Sequence, residues 1–206
     1  MLLIGLTGSI ATGKSETSKL FAEAKIPVFD ADAEVHKIYE NKRFIAELAK
    51  YFPTAVHKNA INRKMLSELV LPDAGKLKIL ETLVHPLVQL ERQKFVSKWR
   101  AENVSFVIVD IPLLYETGQS TTFDYVVVVS APEAIQRERA LLRQGMTEEK
   151  LTAILARQIP DQEKRERADF VIENAGGLEE LRSQIAELIR KLETLSKKAD
   201  DERNRT

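Results

Sequence analysis

Gly8-Ser9-Ile10-Ala11-Thr12-Gly13-Lys14-Ser15 matches the pattern G-x-x-x-x-G-K-[ST] at every fixed position. A chain with that spacing wraps so that successive backbone N–H groups point inward. A helix opening near Lys14 adds its positive end. Such a cradle suits the oxygens of a polyphosphate: Lys14 reaches β/γ-phosphates and the Ser15 hydroxyl can ligate Mg2+. Gly8 and Gly13 permit a backbone approach that a Cβ would obstruct. The expected nucleotide-contacting run is Gly8, Ser9, Ile10, Ala11, Thr12, Gly13, Lys14, Ser15 and the next residue, Glu16.

Three further groups of residues carry chemistry that a phosphate cradle needs. Asp30-Ala31-Asp32 closes a short apolar run, and a phosphoryl acceptor needs a carboxylate to orient its hydroxyl and take the proton. Asp32 is read as that base, and Asp30 as a helix cap or a partner of metal-bound water. Asp110 ends the run Val104–Asp110, where an acid holds Mg2+ directly or through water. Leu113, in the segment that follows, could help wall an acceptor pocket. Arg137, Arg139, Arg143 and Arg157 surround Gly145 and suit a lid that neutralises charge on a transferring group. The Asn-Lys-x-Asp segment of a GTPase is absent, and a small kinase is the class that fits. His36, His57 and His85 show no metal-ligand spacing, and the absence of cysteine excludes thiolate chemistry.

Elements must position these residues. Apolar runs at 2–6, 26–29, 104–110, 125–129 and 170–172 read as strands, the first buried on both faces and the third the clearest. Helices are expected over about 14–24, 133–143, 148–158 and 178–195. Between the second and third strands, residues 31–101 show no convincing strand. Helices are drawn there over 32–40, 43–51, 63–70 and 73–101, the last broken or kinked at His85-Pro86. Trp99 is expected in the core, and Asp30–Asp32 beside the first strand. The final polar residues 197–206 are expected to fray. Strands alternating with helices give an α/β fold, with a five-stranded parallel sheet, helices on both faces, and the site beyond the strands' carboxyl ends.

The chain has 206 residues with 31 basic and 31 acidic side chains, so a dedicated nucleic-acid binder is not expected. No apolar run approaches the ~20 residues of a spanning helix, and the N-terminus lacks the features of a signal peptide. A cytoplasmic protein without membrane or nucleic-acid partners is expected, with a monomer favoured.

The ordered motifs resemble those of the dephospho-CoA kinases from Leu3 to about Leu181. They are Gly5-Leu6-Thr7-Gly8 with the loop above, Asp30-Ala31-Asp32, Ile61-Asn62-Arg63, Leu83-Val84-His85-Pro86, Asp110-Ile111-Pro112-Leu113-Leu114-Tyr115-Glu116 and Ala168–Asn174. The resemblance implies ATP-dependent phosphorylation of the ribose 3′-hydroxyl of dephospho-CoA, the last step of coenzyme A synthesis. Another small P-loop kinase, acting on a nucleoside or its monophosphate, is the alternative. It further implies a P-loop NTPase core (about 1–30, 102–136 and 161–196), a helical acceptor-binding insertion (about 31–101) and a helical lid (about 137–160). Asp32 then matches the family's base, Lys14 and Ser15 its phosphate and Mg2+ contacts, and Arg139 and Arg143 its lid. Arg63, His85 and Leu113 fall to the acceptor, and Asn174 to the backbone near adenine. Ser9 and Ala11 stand where the family often has glycine, which implies altered loop stiffness. Ile154 stands where many members carry a lid arginine, a part that Arg157 could take.

Overall fold

The structure, a computed structural model, describes residues 1–203. In chain order the elements are β1 (Leu2–Gly8), α1 (Lys14–Glu23), β2 (Val28–Asp30), α2 (Ala31–Ile38), α3 (Lys42–Tyr51), β3 (Val56–His57), β4 (Ala60–Ile61), α4 (Arg63–Val70) and α5 (Ala74–Ala101). They continue with β5 (Phe106–Asp110), β6 (Tyr125–Ser130), α6 (Glu133–Leu141), α7 (Glu148–Leu155), α8 (Asp161–Arg167), β7 (Phe170–Glu173) and α9 (Leu178–Arg203). The chain forms two compact units, one of residues 1–29 with 98–206, the other of residues 30–97.

The first unit is built on a five-stranded sheet of order β2-β5-β1-β6-β7. β1 pairs in parallel with β5, Leu6 opposite Asp110, and with β6, Gly8 opposite Val129. β6 pairs in parallel with β7. Strand alternation divides the side chains between two faces. Leu2, Ile4, Leu6, Phe106, Ile108, Val127 and Val129 join one apolar cluster with Leu20 and Phe21 of α1 and Leu181, Ile185, Leu188 and Leu192 of α9. The other face carries Val107, Val109, Val126 and Val128, all buried. Over Gly5 on that face lie Leu114 and Phe123, and a Cβ on Gly5 would come within 2.6 Å of Leu114.

Asp30 ends β2, and β5 rather than β2 lies beside β1. The physical reason is burial. Every residue of β5 is buried, which suits the inside of a parallel sheet. β2 has three residues, only one of them buried, and such a strand belongs at an edge.

Two other expectations for this unit are corrected. α8 follows Pro160 where the sequence suggested no element. Its acids Asp161 and Glu163 lie in the first turn and its bases Lys164, Arg165 and Arg167 in the last, which suits the helix dipole. It is polar nearly throughout, so no apolar stripe announces it. The expected fraying from residue 197 is also absent up to Arg203, where α9 ends; residues 204–206 lie outside the described part. Ser196 is buried and donates to the Ser105 carbonyl at 2.7 Å, Ala199 packs on the sheet cluster, and the Met1 amino group stands 3.6 Å from Asp200. Trp99 is half-buried rather than in the core, with Lys98 Nζ 4.8 Å above its ring.

In the second unit each helix starts on a side-chain cap. Asp30 accepts from Ala33 N–H at 2.9 Å, Asn41 from Arg43 N–H at 2.9 Å, Asn62 from Met65 N–H at 3.1 Å and Asp73 from Gly75 N–H at 3.0 Å. The core joins Ile38, Phe44, Leu48, Phe52, Leu66, Val70, Leu80 and Val84. The block is not wholly helical. β3 and β4 form an antiparallel hairpin, with Lys58 and Asn59 at φ of 49° and 59°. Two positive φ values at the turn are those of a type I′ hairpin. Nor does α5 break at Pro86, since it runs unbroken over 28 residues. Leu80 and Val84 bury before the proline and Val88 packs after it, so tertiary contacts hold both halves.

Candidate active site

The sheet's carboxyl edge carries Gly8, Asp110, Ser130 and Glu173 as the last residues of β1, β5, β6 and β7. β1 runs through Ser9–Gly13 directly into α1. The loop is held by its own atoms: the Thr12 hydroxyl donates to the Ser9 carbonyl at 3.0 Å, and Thr17 N–H to the Gly13 carbonyl at 3.0 Å. Ala11 sits at φ 62° and Gly13 at φ 94°, both left-handed. A Cβ on Gly8 would lie 2.5 Å from the Val129 carbonyl oxygen, so only glycine lets the strand pass so close to β6.

The Lys14 ammonium, in the first turn of α1, pairs with the Asp110 carboxylate at the end of β5. Both side chains are largely buried, with exposures of 15% and 3%. Ser15 is exposed on the same turn, and Glu16 is half-buried beside Lys19 at 3.5 Å. The Thr7 hydroxyl donates to the Pro112 carbonyl at 3.0 Å, tying β1 to the segment after Asp110. In that segment Leu113 is 39% exposed while Ile111, Leu114 and Tyr115 are buried.

Asn174, just past β7, is buried and has three partners. Its Nδ2 donates to the Thr12 carbonyl at 2.8 Å, its N–H to the Ser130 carbonyl at 2.7 Å, and its own carbonyl accepts from Arg139 at 2.9 Å. Arg139 on α6 therefore braces the residue that braces the loop. Arg143 is exposed beyond the end of α6, and Arg137 pairs with Glu148 at 2.8 Å, linking α6 to α7.

Several residues to which the sequence assigned no role shape this site. Gln158 accepts the Ile10 N–H at 3.0 Å. Glu116 accepts the Ile159 N–H at 2.9 Å and stands 2.8 Å from Lys164 Nζ, whose side chain is fully buried. The Arg167 guanidinium lies 4.4 Å from the Tyr115 ring centre. Burial pushes the Tyr115 phenol up, and the Arg167 charge opposes this. Ser130 donates to Asp161 at 2.5 Å and accepts from Arg165 at 2.9 Å. No spacing rule reveals these, because each pairs residues far apart in the chain.

The remaining predicted residues lie in the second unit. Asp32 is exposed in the first turn of α2, two residues after the capping Asp30. Arg63 opens α4 and is exposed; burial raises the Tyr39 phenol and the Arg63 charge works against that. His85 is exposed on α5. A cavity of about 410 Å³ within this unit is lined by Ile38, Arg43, Phe44, Leu83 and Pro86 among others. No group of three or more His, Cys, Asp or Glu residues suited to a metal occurs among the described residues. No helix among them is long and apolar enough to cross a membrane.

A central parallel strand that turns through this loop into a helix, with a first-turn lysine against an acid at the end of the next strand, defines a phosphotransferase of the P-loop kinase class. The chain belongs to the dephospho-CoA kinase family, whose profile matches residues 2–180. A dephospho-CoA kinase from Rhodopseudomonas palustris strain BisB18 is 49% identical over 189 residues, which cover 92% of this chain and 94% of the relative. Among solved structures, one from Thermus thermophilus superposes with a TM-score of 0.80 at 35% identity, covering 93% of this chain and 97% of the other. A dephospho-CoA kinase from Campylobacter jejuni gives 0.70 at 29% identity, with the same coverage.

Proposed function

We propose that this chain transfers the γ-phosphoryl group of ATP to the ribose 3′-hydroxyl of dephospho-CoA, giving coenzyme A and ADP. The observation that carries the reading is the phosphate loop with Lys14 set against Asp110, on a chain that belongs to this family. The loop N–H groups and Lys14 hold the β/γ-phosphates. Asp32 orients the hydroxyl and takes its proton as the new O–P bond forms and the bond to the β-phosphate oxygen breaks, ADP leaving with that electron pair. Arg139 and Arg143 lie on a lid over about 137–160 and neutralise charge on the transferring group. Arg63, His85 and Leu113 serve the acceptor, and the backbone around Asn174 serves the adenine.

The donors suit Mg2+. A hydroxyl at Ser15 and a carboxylate at Asp110 leave the other positions to phosphate oxygens and water, which is how this ion is usually held. When bound, the ion neutralises phosphate charge. The protein's location is proposed as cytoplasmic, with small-molecule partners only and as a monomer.

Incubation with ATP, Mg2+ and dephospho-CoA tests this, with the mass of a single added phosphate at the 3′ position as the expected result. No such product, with turnover on a nucleoside or its monophosphate instead, would overturn it. Asp32→Asn should lower turnover by orders of magnitude while ATP still binds, and near-normal turnover would remove the base assignment.

A further inference from the structure

Two side chains distant in sequence hold the phosphate loop from outside. Asn174 donates to the Thr12 carbonyl, and Gln158 accepts the Ile10 N–H at 3.0 Å. Between these two points stands Ala11, at φ 62°. An L-residue with a Cβ resists that conformation, so a turn built on alanine needs holding from outside more than one built on glycine.

Gln158 is itself held. Its N–H donates to the Leu155 carbonyl at 3.0 Å, at the end of α7. The next N–H, of Ile159, goes to Glu116, whose carboxylate is fixed by the buried Lys164. Beside it, Ala11 packs with Ala140 of α6 and Leu151 of α7, flanked by Ile10, Leu141 and Met146. The far end of the proposed lid and the phosphate loop thus share one hydrogen bond and one apolar cluster.

We infer that Gln158 is a positioning residue for ATP: by taking the Ile10 N–H it fixes the turn at Ala11, and so aims the rest of the loop at the phosphates. The inference rests on the proposed nucleotide chemistry but not on the identity of the acceptor. Gln158 does not touch the reacting atoms in this role. Its loss should therefore weaken ATP binding and spare the acceptor's KM.

The test compares the wild type with Gln158→Leu, which keeps the bulk and removes the acceptor oxygen. ATP affinity is measured by calorimetry without any acceptor, and the Ile10 amide is followed by hydrogen exchange. The expected result is about a tenfold loss of ATP affinity, the scale of one hydrogen bond left unmade. The Ile10 amide should exchange faster, and the KM for the acceptor and the melting temperature should stay close to wild type. Unchanged ATP affinity would overturn the inference. So would a joint fall in ATP affinity, acceptor KM performance and melting temperature, which marks a merely structural role. Should the leucine variant fail to fold, Gln158→Glu keeps an acceptor oxygen: Ile10 should remain protected in it, and faster exchange there would also overturn the inference. A wild-type protein that binds ATP but ignores dephospho-CoA would sink the acceptor assignment alone.

Discussion

At Gly13 a Cβ would stand 1.9 Å from Asn174 Nδ2, and the residue's φ of 94° already lies where an L-residue loses about 1–2 kcal/mol. Gly13→Ala should therefore lower stability by at least about 2 kcal/mol in urea denaturation and weaken ATP binding. Adding Asn174→Ala should return part of the stability, because it removes the clash but not the strain. Lys14 presents a different case. Lys14→Ala should abolish most turnover, and it also takes from the buried Asp110 carboxylate the cation that it pairs with. Breaking such a pair costs about 3 kcal/mol. Lys14→Ala with Asp110→Asn should recover the melting temperature without recovering turnover, separating the two roles of one ion pair. The sequence marked Gly13, Lys14 and Asp110 because the loop pattern and the strand end are local. It could not show that Ala11's methyl packs against Ala140 and Leu151, or that Gln158 takes Ile10's amide. Those contacts exist only once the chain has folded.

Among the elements, α8 shows why legibility fails. Strands β5 and β6 announce themselves through apolar runs, and α9 through its stripe of Leu181, Ile185, Leu188 and Leu192. α8 buries a lysine instead. Lys164→Met should destabilise the protein by about 3 kcal/mol, since it leaves the Glu116 carboxylate, largely shielded from water, without its cation. Pairing it with Glu116→Gln, which keeps an acceptor for Ile159 N–H, should restore much of that loss in urea titrations. The β3–β4 hairpin escaped for another reason: its strands have two residues each and its turn uses Lys58-Asn59 rather than Asn-Gly. Pro86 was legible as a helix breaker, yet packing on both sides of it prevails. Pro86→Ala should accordingly raise stability by about 1–3 kcal/mol, because a proline in a helix interior removes a hydrogen bond and crowds the preceding turn.

For the whole molecule, the neutral charge sum conceals where charges are spent, with Lys14 on Asp110, Lys164 on Glu116 and Arg165 on Glu173. ATP at a hundredfold excess over its dissociation constant should stabilise the fold by about 2.7 kcal/mol, seen as a concentration-dependent rise in melting temperature. Deleting residues 196–206 should cost about 1–2 kcal/mol, since it removes the Ser196 hydrogen bond to Ser105 and the packing of Ala199. The order of strands in the sheet also bears on how the chain is made. β1 leaves the ribosome well before its two neighbours, β5 and β6, which begin at Phe106 and Tyr125. The central strand must wait until β5 and β6 have been synthesised, while residues 30–97 carry their own caps and core and can settle meanwhile. The strand that leads into the phosphate loop is thus translated long before the two strands that flank it, and until they arrive its apolar run has no partner.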